Sequence, residues 1–191
     1  MLHQEFDTYC RISQSPMNAK LILITLLVLT TMDAKYSFGQ TQFDVPENIV
    51  LKTQDDYTKY ESAIIEAAKW LEENDLNKEP DKRQQVIDFV IRWLEGSTAV
   101  TLELTEPIAK LYDKNDPLLG VFLVSYARNA LENKGSPNKF NATKAAVTSI
   151  MTVYKKGIGI TKNKQMEKAM KMANENKLDD FIVEVLRVEK D

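Results

Sequence analysis

The sequence predicts an all-α fold: a single-domain bundle of six or seven short helices around one buried central helix. Apolar residues recur at three- and four-residue steps through most of the chain, which is the spacing of one helix face. Residues typical of helix ends separate these runs, with Pro80 and Pro117 at expected first turns and Gly96 at an expected end. Residues 118–132 are apolar on nearly every side, so we expect them to be buried on every side.

The first two helices follow from a cap and an apolar face. Thr53 is expected to cap a helix over residues 54–73, and Pro80 opens a second helix that Gly96 ends as a C-terminal glycine. Residues 97–104 alternate apolar and polar side chains, as a strand does. Because no partner strand is evident, we interpret them as an extended connector that lays its apolar side chains on the bundle.

The remaining helices are expected on the same grounds of caps, prolines and apolar spacing. Residues 67–72 and 90–95 resemble each other, and each ends in Trp-Leu-Glu, but the pattern does not recur a third time. This favours one bundle over a repeat array. The expected starts are Thr105 for the third helix, Asp116 for the fourth and central helix, Asn141 or Thr143 for the fifth, Thr161 for the sixth and about Leu178 for the seventh.

A targeting signal is predicted near the N-terminus. Residues 21–31, LILITLLVLTT, form an uncharged apolar run behind Lys20. The run is shorter than the roughly 20 residues that a membrane-spanning helix needs, and it is typical of a signal-peptide core. Ser37 and Gly39 have the small-residue spacing at which signal peptidase cleaves. A buried N-terminal helix is the alternative.

These features divide the chain into two parts. Residues 1–39 are expected to be an upstream leader plus signal peptide, with Met17 as the expected start, and residues 40–191 a single helical domain. The protein is therefore predicted to be exported, to the periplasm or the extracellular medium. No membrane span is expected in residues 40–191.

The composition of residues 40–191 excludes several chemistries. The only histidine and the only cysteine are His3 and Cys10, so the predicted domain contains neither. Catalytic Ser-His or Cys-His pairs, His/Cys zinc sites, His-ligated haem and disulfides are thereby excluded. The formal net charge of −3 gives no attraction to nucleic acid. We expect no cofactor, no metal and no nucleic-acid partner.

Arg128 is the main candidate for a functional residue. It lies within the apolar central helix, where a charge must be paired. Glu95, Glu103 and Glu106 are candidate partners. Arg128 and Tyr126 could together form a clamp for an anionic ligand. A structural ion pair and an arginine that reaches out to solvent are the alternatives.

Trp93 and Glu95 complete the candidate ligand-binding residues. A tryptophan can line a groove, but it can equally be a core residue whose indole N–H donates to a backbone oxygen. The helix that holds Trp70 ends in a group of carboxylates, which could serve glycoside hydrolysis in pairs. The lysine-rich residues 134–177 could contact an anionic lipid or polysaccharide, or be solvated surface. We assign no catalytic residue.

Residues 92–97, RWLEGS, and residues 177–182, KLDDFI, resemble a group of small exported helical proteins of Bacteroidota that have no assigned activity. The resemblance implies export and an all-α fold, and it transfers no functional residue. The leading functional hypothesis is an exported, non-catalytic binding or interaction protein whose partner is a protein or an envelope component. The alternative is a carboxylate-dependent hydrolase that acts on cell-envelope glycans.

Overall fold

Eight short α-helices account for most of residues 42–134 and 138–190, which are the residues that the structure, a computed structural model, describes. They belong to one unit that spans Gln40–Asp191. No strand occurs in these two ranges, which confirms the all-α prediction. The helices are α1 (Gln54–Lys59), α2 (Glu61–Glu73), α3 (Pro80–Leu94), α4 (Glu106–Tyr112), α5 (Pro117–Glu132), α6 (Lys139–Lys155), α7 (Lys164–Asn174) and α8 (Leu178–Asp180), which continues into a π-helical turn at Phe181–Val185.

The predicted leader and signal peptide, residues 1–39, lie outside the described residues. The expected start at Met17 and the expected cleavage after Gly39 therefore stay predictions, as does export itself.

Helix α5 is the central helix, as its sequence predicts. It packs against α2, α3, α4 and α6, most extensively against α2 and α6. Gly120 of α5 faces α3, and a Cβ atom there would collide with the Ile87 side chain. The buried residues of α5 point in every direction around its axis: Leu118, Gly120, Val121, Phe122, Leu123, Val124, Ser125, Tyr126, Ala127, Ala130 and Leu131.

The helix predicted over residues 54–73 is interrupted at Tyr60, which separates α1 from α2. In an unbroken helix the carbonyl oxygen of Tyr57 would accept a hydrogen bond from the backbone N–H of Glu61, four residues later. Instead it accepts from the indole Nε1 of Trp93 at 2.9 Å and from the backbone N–H of Tyr60 at 3.1 Å. The Tyr57 carbonyl oxygen is thus engaged in a tertiary contact where α1 ends.

The starts of α1, α3, α4 and α5 agree with the sequence-based predictions. The Asp56 carboxylate accepts hydrogen bonds from the backbone N–H and the hydroxyl of Thr53, each at 3.0 Å, which closes the first turn of α1. Pro80, Pro107 and Pro117 all lie in the first turn of a helix, where the missing N–H is not needed. These predictions are confirmed.

Two later caps differ from the predicted ones. Asn138 caps α6 by accepting a hydrogen bond from the backbone N–H of Asn141 at 2.6 Å, so the helix begins before both Asn141 and Thr143. Asn163, rather than Thr161, caps α7 in the same way. Asparagine and threonine both satisfy the local rule for a cap, so that rule alone does not decide between neighbouring candidates.

The connector over residues 97–104 has no helix or strand, as expected. Val100 is buried, but Leu104 is 44% exposed, so only part of the connector packs on the bundle. Gly96 is not the left-handed terminal glycine that its sequence position predicts, because its φ is not positive. It is needed for a close approach instead: a Cβ atom there would collide with the Tyr57 hydroxyl.

Candidate functional site

Arg128 forms a two-pronged ion pair with Glu72, which joins α5 to α2. The Nη1–Oε2 distance is 3.0 Å and the Nη2–Oε1 distance is 2.7 Å. The hydroxyl of Ser125 donates to Oε1 of Glu72 at 3.0 Å, and the hydroxyl of Ser149 on α6 donates to the same oxygen. We call these four residues the Glu72 cluster. The Arg128 and Glu72 side chains are 20% and 22% exposed, so the cluster lies at the edge of the core.

The partner of Arg128 differs from the three carboxylates that the sequence suggests. Glu95 is exposed just after α3, while Glu103 and Glu106 pair with lysines on α6 and α4. Glu72 is 56 residues away from Arg128 along the chain. The expectation that Arg128 is paired is therefore confirmed. Its partner could not be predicted, because no local sequence pattern connects the two positions.

Two cations fix the C-terminal end of α2 and thereby position Glu72. The ammonium group of Lys156 donates to the carbonyl oxygens of Glu72 at 2.7 Å and Glu73 at 2.9 Å. The buried Arg83 donates from Nη2 to the carbonyls of the next two residues at 2.8 and 2.9 Å. Burial lowers the pKa of Arg83, and Asp75 opposes that shift. Both cations complement the negative end of the α2 dipole.

Tyr126 and Trp93, the aromatic candidates, are core residues. Tyr126 is 4% exposed, and its hydroxyl donates to the carbonyl oxygen of Thr101 at 2.9 Å. Burial raises the pKa of Tyr126. Because residues two apart in a helix point about 200° apart, Tyr126 and Arg128 do not share a surface. Trp93 is fully buried, and its indole N–H donates to the carbonyl oxygen of Tyr57 on α1. Neither aromatic ring therefore lies beside Arg128 in a ligand site.

A groove of about 560 Å³ lies between α5 and α6, and Arg128 forms part of its wall. The described residues that line it include no carboxylate and no aromatic ring. Its lysine, Lys144, is paired with Asp179 at 2.6 Å, and Arg128 is paired with Glu72, so the groove is polar but carries little net charge. The lining residues are Arg128, Asn129, Asn133, Asn138, Asn141, Lys144, Ala145, Thr148 and Ser149.

The groove contains four carboxamide side chains. Asn138 is used as the α6 cap, and Asn133 donates from Nδ2 to the carbonyl oxygen of Asn129 at 2.8 Å, which leaves its own Oδ1 acceptor. Among the described residues, the carboxamides of Asn129 and Asn141 have no hydrogen-bond partner. Each offers two donors and an acceptor to a molecule in the groove.

From the sequence, Asn141 is expected only as a possible helix cap, and the four asparagines are not recognised as a group, although their clustering is visible there. Four asparagines fall within residues 129–141, at the end of one helix and the start of the next. An antiparallel helix pair brings such positions to one end of the shared face. All four line the groove, and helix capping explains one of them, Asn138.

Neither a metal site nor a membrane-spanning helix is found among the described residues. Residues 42–134 and 138–190 contain no group of His, Cys, Asp and Glu side chains arranged to hold a metal ion. No helix in those ranges combines the length and the apolar character that crossing a membrane would require. No family model, curated protein or solved structure matches the chain, so its site is interpreted from geometry.

Proposed function

We propose that this protein is a non-catalytic interaction module that binds an extended, uncharged peptide segment of a partner in the groove between α5 and α6. The observation that carries the proposal is the presence of unpartnered carboxamides, Asn129 and Asn141, along a groove whose charges are already paired. A groove of about 560 Å³ is within the range of roughly 300–1,000 Å³ that small ligands and peptide side chains occupy.

The side chains favour a peptide over a charged ligand. A carboxamide presents a donor and an acceptor side by side, which matches the N–H and C=O groups of an extended backbone. Arg128 adds further N–H donors, while its charge is balanced by Glu72. An anionic ligand would have to compete with Glu72 for that guanidinium. The absence of aromatic rings from the described lining also gives a sugar ring nothing to stack on.

No feature of the groove favours the alternative of a glycan hydrolase. Glycoside hydrolysis generally needs two carboxylates on either side of the scissile bond. The described groove lining has none, and the Glu72 oxygens already accept four hydrogen bonds from Arg128, Ser125 and Ser149. Glu72 therefore serves to position Arg128.

We further propose that the partner is a protein of the cell envelope or its surroundings. This part rests on the predicted signal peptide and on the resemblance to exported helical proteins of Bacteroidota. It is independent of the groove, because a peptide-binding groove would serve a protein in any compartment.

Site-specific photo-crosslinking tests the proposal and identifies the partner in the same experiment. A photoreactive amino acid is introduced at Thr148, which is exposed in the groove, and separately at Gln85, which is exposed on α3 outside it. Each variant is irradiated in an envelope extract of the source cells, and the adducts are identified by mass spectrometry. We expect a polypeptide adduct from position 148 and none from position 85. Equal labelling from both positions would show that the groove is not a binding site, and a carbohydrate adduct would overturn the peptide assignment.

A further inference from the structure

A second concave surface, of about 820 Å³, lies where the end of α4 meets the start of α7. Four lysines from three segments of the chain surround it. One lies in α4, one in the turn that follows α4, one just before α7, and one is the first residue of α7. We call it the lysine depression. Its lining residues are Lys110, Asp113, Lys114, Lys162, Asn163, Lys164, Gln165 and Glu167.

Most of the positive charge in the lysine depression is uncommitted. Among the ion pairs between described residues, Lys110 is paired with Glu106 at 2.8 Å, and none involves the other three lysines. Of the two carboxylates that line it, Glu167 already accepts a hydrogen bond from the Tyr154 hydroxyl at 2.9 Å. When Lys110 is counted together with its partner Glu106, four ammonium groups face three carboxylates, which leaves a formal charge of +1 on a chain whose formal net charge is −3.

Two buried asparagines hold the segments that carry these lysines. Asn115 exchanges two hydrogen bonds with the backbone of Thr161, both at 2.8 Å. Asn163 donates to the carbonyl oxygens of Lys110 and Asp113, each at 2.9 Å. Both asparagines are at most 5% exposed. The backbone around the lysine depression is therefore fixed before any ligand arrives, which reduces the entropy lost on binding.

Lys114 is one of five described non-glycine residues with a positive φ. Its φ of 65° places it in the left-handed region, which glycine adopts at lower cost than any residue with a side chain. A lysine there brings a charge to the lysine depression at the expense of a strained backbone. That strain makes Lys114 the most informative position for a test, because glycine removes the charge and relieves the strain together.

We propose that the lysine depression is a second ligand site, which binds a phosphate or sulfate group carried by a soluble molecule. Three uncommitted ammonium groups suit an oxyanion with more than one negative charge. The concave shape suits a ligand that enters it rather than a flat lipid surface. This site is separate from the peptide groove between α5 and α6.

Isothermal titration calorimetry with sodium tripolyphosphate tests this proposal on the full chain. The variants are Lys114→Gly and the double variant Lys162→Gln/Lys164→Gln, and the matched control is Lys155→Gln, an exposed lysine at the end of α6 outside the lysine depression. One ion contact near the surface corresponds to about a fivefold change in Kd, so we expect about fivefold weaker binding for the first variant and roughly 25-fold for the second. Binding by the control should match the wild type.

Two further readouts keep a failed fold from being mistaken for a lost site. The Tm of Lys114→Gly should equal or exceed that of the wild type, because the strain at this residue is removed. Raising the salt concentration should weaken tripolyphosphate binding by the wild type more than by the double variant. Equal affinity of all four proteins for tripolyphosphate would overturn the proposal. Binding to vesicles that contain phosphatidylglycerol, without binding to tripolyphosphate, would also overturn it and assign the lysines to a membrane surface.

Discussion

The ion pair between Arg128 and Glu72 can be tested by replacing Arg128 with methionine, which keeps the aliphatic length and removes the charge. Breaking a fully buried pair costs about 3–5 kcal/mol, whereas an exposed pair contributes about 0–1 kcal/mol. The two side chains are 20% and 22% exposed and the contact distances are 2.7 and 3.0 Å, so an intermediate value applies. We expect Arg128→Met to lower the free energy of unfolding by about 2 kcal/mol.

The measurement is a double-mutant cycle in urea with Glu72→Gln as the second change. Glutamine keeps an acceptor for Ser125 and Ser149, so the cycle isolates the charged part of the contact. For a domain of this size, a loss of about 2 kcal/mol should lower the Tm by about 4–8 °C. The double variant should be more stable than the sum of the single losses implies. A Tm of Arg128→Met within a degree of wild type would show that the ion pair does not stabilise the fold and would leave Arg128 free for a ligand.

Two further variants test the packing and the electrostatics of the fold. Gly120→Ala should destabilise the protein by about 1–2 kcal/mol in urea unfolding, because the new methyl group meets Ile87; the loss should shrink in an Ile87→Ala background, and a gain in stability would contradict the close approach. The pKa of Asp56 is held well below its usual 3.8, first by the ammonium of Lys59 and then by backbone N–H groups. The ionised Asp56 carboxylate therefore stabilises the folded protein fully above pH 3.8, and this stabilisation is lost as the pH falls below that value. The stability difference between wild type and Asp56→Asn should therefore narrow from pH 5 to about pH 2, and a constant difference would contradict the assignment.

The parts of the fold that follow local rules could be predicted from the sequence. The apolar spacing of residues 118–132 is enough to identify a central helix, because a helix that is apolar all round has no solvated side. Pro80 and Pro117 mark helix starts through their own geometry, which no distant residue changes. The predicted exclusion of His/Cys chemistry likewise depends on composition alone.

The parts that depend on distant partners could not be predicted. At the break near Tyr60, the indole of Trp93, 36 residues from Tyr57, donates to the Tyr57 carbonyl oxygen, a contact that the sequence does not reveal. The pairing of Arg128 with Glu72 requires α2 and α5 to be neighbours, and the apolar periodicity of the sequence does not show which helices pack together. The lysine depression is visible in the sequence only as a lysine-rich stretch, and the buried asparagines that shape it join segments about 50 residues apart along the chain.

The central claim, that the groove between α5 and α6 binds an extended peptide, is tested most directly with the peptide recovered from the position-148 adduct. Its Kd is measured by calorimetry for the wild type and for Asn129→Ala/Asn141→Ala. Two lost hydrogen bonds of about 1 kcal/mol each should weaken binding by roughly 25-fold. The Tm should not fall, because neither carboxamide holds the described fold together and alanine favours a helix. An unchanged Kd in this variant would contradict the claim.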